Sequence, residues 1–243
     1  MKPLYRDRLY AVYSDLHPRP DVESDPAIAD LVVREWLDRM AGWLPIDKDA
    51  ECLDVACGNG SLMLALKRSG YSRIRGVELG ERQVETARRV AGNVVQADAV
   101  DYLEGRPLSF DFITAMDIIE HFDKKDVFAF VDALYRALRP GGRLIVHTPN
   151  AESPWFGVVR YGDLTHELAF SPQSLSHVLS VAGFESFEAR ECPPFVHDLR
   201  SCLRRIFWRV LRNFLLFWSV VETDSTGSGV LTRVFIAKAD KPG

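Results

Sequence analysis

The chain has 243 residues, enough for one large domain or a domain with a small appendage. Hydrophobic residues at 47% and charged residues at 26% fit a globular core, and a net charge of −4 with a pI of about 5.9 lacks the basic footprint of a nucleic-acid binder. The four cysteines (Cys52, Cys57, Cys192, Cys202) have no zinc-ligand spacing, the N-terminus has no apolar signal region, and no apolar run is long enough to span a bilayer, so the expectation is a cytoplasmic protein with free thiols.

Residues 1–48 form a front segment, with a short helix expected over 5–13, a proline-rich loop over 18–26, and a helix over 27–43 whose Leu31, Val32, Trp36 and Met40 share a face. From residue 49 to 243 a second pattern follows, in which strands alternate with helices. Strands are expected at 51–57, 73–79, 94–97, 110–117 and 143–148, with helices at 61–69, 81–91 and 124–138 and a Pro140-Gly141-Gly142 turn. A helix over 172–182 and strands at 185–191 and 233–239 complete the chain. Such alternation implies an α/β fold with a mostly parallel sheet covered on both faces.

Gly58-Asn59-Gly60 follows the first strand and opens a helix. Alone, a G-x-G is equally a plain strand–helix turn. Glu78, however, ends the second strand about 20 positions past Gly58, where a carboxylate can accept from ribose hydroxyls. That would also suit a dinucleotide, but the third position of a dinucleotide fingerprint is Met63 rather than glycine or alanine. Asp54 inside the first strand suits a cationic, amino-acid-bearing ligand, and Asp98 after the third strand can accept from an adenine amino group. Three acids at the ends of three successive strands share the crevice where open α/β sheets bind ligands. Together Leu53-Asp54-Val55-Ala56-Cys57-Gly58-Asn59-Gly60, Gly76-Val77-Glu78-Leu79, Gln96-Ala97-Asp98-Ala99, Phe110-Asp111-Phe112-Ile113 and Leu138-Arg139-Pro140-Gly141-Gly142 resemble a class I S-adenosylmethionine-dependent methyltransferase over residues 51–149. The resemblance implies a Rossmann-like seven-stranded sheet of order 3-2-1-4-5-7-6 with an antiparallel seventh strand. It also implies cofactor contacts from Asp54, Gly58, Asn59, Gly60, Glu78, Leu79, Asp98, Ala99 and Met116. Tyr13, with Tyr10, either closes over the cofactor as a lid or packs an N-terminal helix on the sheet.

Beyond the cofactor, the fourth strand runs into Asp117-Ile118-Ile119-Glu120-His121. In a helical turn Asp117, Glu120 and His121 would share one face, as a divalent-metal site or as acids favouring a helix N-terminus. Downstream lie His147-Thr148-Pro149-Asn150, Asp163-Leu164-Thr165-His166 and Phe170-Ser171-Pro172. These segments resemble two metal-dependent O-methyltransferase groups, those acting on the terminal ribose of small RNAs and those of the ubiquinone pathway. The resemblance implies Asp117, Glu120, His121 and His166 as ligands of Mg2+ or Mn2+, with aspartate at 117 where those groups carry glutamate. Without a metal, His166 or His121 would be the general base, and Asp163 would orient His166. The chain as a whole, including Leu9 to His17 and Val221-Glu222-Thr223, is similar to bacterial methyltransferases of polysaccharide biosynthesis, which implies O-methylation of a glycan or glycolipid hydroxyl. The alternatives are a small phenol or quinone precursor methylated with a histidine base, and an RNA terminus, which the acidic pI disfavours.

The stretch from Ser201 to Val221 is strongly amphipathic, with Leu203, Ile206, Phe207, Val210, Leu211, Phe214, Leu215, Trp218 and Val221 on one wide face and Arg204, Arg205, Arg209 and Arg212 on the other. That face is expected to pack on the core, cover the active site or form a dimer contact. Exposed Trp208, Phe217 and Trp218 would point instead to peripheral membrane contact.

Overall fold

The structure is a computed structural model and describes residues 5–10, 12–20 and 22–243. Helices α1 (Tyr5–Tyr10), α2 (Tyr13–Leu16) and α3 (Pro26–Arg39) precede strand β1 (Cys52–Val55). Next come α4 (Ser61–Arg68), β2 (Ile74–Glu78), α5 (Glu81–Val90), β3 (Val94–Gln96), α6 (Ala99–Glu104), β4 (Phe110–Met116), α7 (Val127–Ala137) and β5 (Leu138–Pro149). The chain closes with α8 (Phe156–Gly162), α9 (Pro172–Val181), β6 (Glu185–Glu191), α10 (Leu199–Thr223) and β7 (Val234–Asp240). The strands form one sheet of order β3-β2-β1-β4-β5-β7-β6. β7 runs antiparallel to β5 and β6, and the remaining neighbours are parallel. This is the expected Rossmann-like sheet.

The alternation of side chains along a strand explains how both faces are filled. Leu53, Val55 and Ile113 join Phe130, Val131 and Leu134 of α7 in one core cluster. Their strand neighbours Cys52 and Phe112 point the other way, into a cluster with Leu62 and Leu66 of α4. Met40 and Trp43 lie in that second cluster, so the front segment after α3 is packed onto the sheet. All four residues of β1 are buried, as a parallel strand covered on both faces requires.

Several elements differ from expectation for local reasons. The early helix divides into α1 and α2. Helix α6 was not expected; the Asp98 carboxylate starts it by accepting from the Val100 and Asp101 amides. The Pro140-Gly141-Gly142 turn lies inside β5, where the register slips between the pairs Phe110–Leu138 and Phe112–Arg143. Residues 117–121 do not form an α-helical turn: Asp117 takes a φ of 53°, and a 3-10 turn over Ile119–His121 precedes α7. Helix α10 extends the expected amphipathic stretch, helped by a capping box between Asp198 and Ser201. The expectation that its apolar face packs on the core or covers the site is not met, because Ser201 is its buried residue and Phe207, Phe217 and Trp218 are exposed.

Candidate active site

The C-terminal ends of β1 to β4 surround a cavity of about 360 Å³. It is lined by Gly58 after β1, Glu78 and Leu79 at the end of β2, Asp98 and Ala99 after β3, and Asp117, Ile118 and His121 after β4. Tyr10, Tyr13 and Arg19 line it from the front segment.

The acids on the cofactor side are held by backbone. Glu78 Oε2 accepts from the Gly58 amide and Oε1 from the Leu79 and Gly80 amides, each at 2.9 Å. The carboxylate is thereby fixed, with Oε1 fully used by two amides and one lone pair of Oε2 left for a ribose hydroxyl. Gly58 has a φ of 55° with open space where a side chain would stand, so a ligand can approach the main chain. Asp98 spends Oδ1 on the α6 cap, and its other oxygen is the one available to an amino group.

Four expected cofactor residues lie outside this lining. Asp54 sits beneath the loop, 2% exposed, where its Oδ1 accepts from Thr114 Oγ1 at 2.7 Å. Burial pushes its carboxyl up to about 7; the Thr114 bond opposes the rise and the charge of Glu78 adds to it. Gly60 faces α5, since a side chain there would meet the Ala87 backbone at 3.1 Å. Asn59 donates to the Pro20 carbonyl, tying the loop to the front segment, and the Met116 side chain belongs to the core.

The acceptor side is a cluster of titrating groups drawn from four segments. Asp163 is its hub: Oδ1 accepts from Thr165 N and Oγ1, Oδ2 accepts from Tyr13 Oη at 3.1 Å, and His17 Nε2 lies 3.4 Å away. Burial opposes its ionisation, but the Thr165 bonds and the neighbouring imidazoles outweigh this and hold it below the usual carboxylate range. Its distance to His166 Nε2 is 3.7 Å, too long for a hydrogen bond, so the expected orienting role is corrected: His166 is oriented by Nδ1 against the Val159 carbonyl at 3.1 Å. His121 likewise turns Nδ1 to the Thr165 carbonyl. Carbonyl partners on Nδ1 place the ring proton there and leave both Nε2 atoms as acceptors. Burial, and then the charge of His166, lower His121 to about 4; burial lowers His166 as well, so both rings are neutral at pH 7.

Whether this cluster suits a metal is decided by its donor set. Glu120 is 1% exposed, and its Oε1 has no hydrogen-bond partner, while Oε2 accepts from Thr148. Among the described residues, ligand atoms of Glu120, His121 and His166 lie within 4.8 Å of one another. A buried orphan carboxylate oxygen beside two imidazoles is a donor set that fits a divalent cation. Burial, and then the charge of Asp117, push Glu120 up to about 8. Asp117 itself is not in the cluster. Its left-handed backbone replaces the expected helical turn and aims the carboxylate at His147 Nδ1, 2.7 Å away, with Arg19 Nη1 at 3.9 Å. The coupled pair holds Asp117 below its ordinary range and His147 above.

Sequence reasoning missed three residues here. Arg19 is a guanidinium on the cavity wall, Thr165 bridges Asp163 to His121, and His17 packs on Tyr13 with ring centroids 4.6 Å apart. The one available signal was Arg19 between Pro18 and Pro20, a cation with a constrained backbone in an otherwise featureless loop.

The comparisons with known proteins agree with this geometry. A family model described as "Methyltransferase domain" matches residues 27–189. The chain is 31% identical over 150 residues to a ubiquinone biosynthesis O-methyltransferase of Idiomarina loihiensis, covering 55% of this chain and 60% of that protein. It is 32% identical over 114 residues to the 27-O-demethylrifamycin SV methyltransferase of Amycolatopsis mediterranei, covering 44% and 41%. The matches thus span about half the length of these curated relatives. Among solved structures, a SAM-dependent methyltransferase from Archaeoglobus fulgidus superposes with a TM-score of 0.64 at 17% identity, covering 96% of this chain and 99% of that one, a likeness of fold.

Proposed function

The chain belongs to the class I S-adenosylmethionine-dependent methyltransferases, and from that premise we propose that it methylates a hydroxyl of a glycan or glycolipid intermediate with the help of a divalent cation. The observation that carries the reading is the buried Glu120 carboxylate, with Oε1 unpartnered, close to the imidazoles of His121 and His166 beside the cofactor cavity. S-adenosylmethionine occupies that cavity, with its ribose on Glu78, its adenine amino group toward Asp98 and its methionine end over Gly58; Arg19 supplies a cation for the methionine carboxylate.

Transfer is an in-line displacement: the acceptor oxygen bonds to the methyl carbon, the sulfonium carbon–sulfur bond breaks, and S-adenosylhomocysteine leaves. Positioning supplies much of the rate. A sugar hydroxyl must also lose its proton, and it is a poor nucleophile at neutral pH. Glu120, His121 and His166 would hold Mg2+ or Mn2+, which when bound lowers the pKa of a coordinated hydroxyl. Asp163 stays ionised and supplies negative potential to the cluster, and Tyr13 closes over it. The polar character of the acceptor side favours a hydroxyl-rich substrate. Methyl transfer to nucleotide-sugar acceptors that stops with chelator and returns with Mg2+ or Mn2+ is the expected result; chelator-insensitive transfer would sink the metal part.

A second reading is favoured by the curated relatives, which by name are a ubiquinone biosynthesis O-methyltransferase and a 27-O-demethylrifamycin SV methyltransferase. A phenol ionises more readily, and the neutral His166 Nε2 would take its proton directly. Catechols screened beside nucleotide-sugars separate the two readings.

A further inference from the structure

The inward face of helix α10 is mixed: half-buried Trp208, Leu215 and Leu216 lie beside polar anchors, in which Arg212 donates from Nε to Glu191 Oε2 and from Nη2 to the Gly229 carbonyl, each at 2.8 Å, and Arg205 donates to the Pro194 carbonyl. Its outward face is apolar. Phe207 is 70% exposed and Phe217 65%. A solvent-facing stripe of this kind marks a surface that meets something other than water.

The stripe runs the length of the helix. Leu199, Leu203, Ile206 and Val210 repeat eleven residues later as Val210, Phe214, Phe217 and Val221. The same face also carries a seven-residue seam, with Leu203, Phe207, Val210, Phe214, Phe217 and Val221 spaced four and three apart, so spacing does not choose between a plane and a second helix. The stripe is also wide, because Phe207 and Trp218 broaden one side and Val220 the other.

Charge, rather than spacing, identifies the partner. At 100° per residue, Arg200 and Arg204 fall on one edge of the stripe and Arg209 on the other, all exposed. No acid occurs from Leu199 to Val221 although the whole chain carries −4. Arginines flanking an apolar stripe can reach lipid phosphates while the aromatic rings settle at the acyl boundary. No helix among the described residues is long and apolar enough to cross a membrane, so this geometry is that of a helix lying on a bilayer.

We propose that the outward face of α10 docks the protein on the surface of a bilayer containing anionic phospholipid, independently of its catalytic activity. The test is co-sedimentation of the full chain with phosphatidylcholine vesicles with and without phosphatidylglycerol, at low and high salt. The expected result is binding about tenfold or more tighter to the anionic vesicles, weakened by salt, with a blue shift of tryptophan fluorescence. F214S/F217S and R204Q/R209Q should each weaken binding about tenfold or more, with cofactor binding and the circular-dichroism melt unchanged because these side chains are exposed. Absence of binding to anionic vesicles, or equal binding by both variants, overturns the proposal. A dimer in sedimentation equilibrium that F214S/F217S converts to monomer overturns it in favour of a second copy.

Discussion

The two halves of the cavity are built on different principles. On the cofactor side, Glu78 and Asp98 take their fixed positions from neighbouring backbone amides. On the acceptor side, side chains hold side chains: Tyr13, His17, His121, Asp163, Thr165 and His166 come from distant segments and share charge. Backbone-held groups make a rigid, general-purpose socket. A coupled side-chain cluster can be retuned by single substitutions, which suits the part of an enzyme that selects its acceptor.

If the halves are separable, substitutions should sort cleanly between them. The largest effect is expected from Glu120→Gln and His166→Ala, each lowering kcat on the order of 10³-fold while the S-adenosylmethionine Kd, read by titration calorimetry, changes by less than about twofold. A parallel loss of cofactor affinity would break the comparison. Next, Glu78→Ala should weaken cofactor binding about 100-fold through loss of charge-assisted hydrogen bonds of roughly 1.5–3 kcal/mol each, with little change in any metal affinity. Gly60→Ala should cost about 1–2 kcal/mol of stability in chemical denaturation, because the residue takes a φ of 80° and abuts the Ala87 backbone. An unchanged midpoint would show that α4 and α5 can shift apart. The smallest effect is on pH dependence. Asp117 raises His147 above its ordinary pKa, so the pair's stabilisation is complete below about 6.5 and fades as pH climbs toward about 10. The melting temperature should therefore fall less steeply over that interval in His147→Gln than in the parent chain; identical slopes would contradict the pairing.

The same division governs what could be read from the sequence. The sheet order followed from the family resemblance, and Gly58, Glu78 and Asp98 were legible because each follows or ends a short apolar strand. Asp54, Gly60 and Met116 carry the same motif but serve the fold around it: Asp54 bonds Thr114, Gly60 admits α5, and Met116 fills the core. Residue type cannot separate lining from support one position away. Asp117 was misread because its role follows from one left-handed residue, and nothing in the spacing Asp117, Glu120, His121 excludes a helix. Arg19 and Thr165 depend on long-range packing and carried no local pattern. The segment from Ser201 to Val221 was legible as amphipathic, but which face turns inward depends on Glu191 and Gly229, partners outside the helix.

The central claim is that Glu120, His121 and His166 form a cation site separate from the cofactor socket. A Mn2+ titration followed by electron paramagnetic resonance tests it without any acceptor. The account expects one site in the parent chain, tightening as pH rises and Glu120, held up at about 8, gives up its proton. It expects that site to vanish in His166→Ala and persist in Glu78→Ala. No bound Mn2+ in the parent chain, or binding that survives His166→Ala, would contradict it.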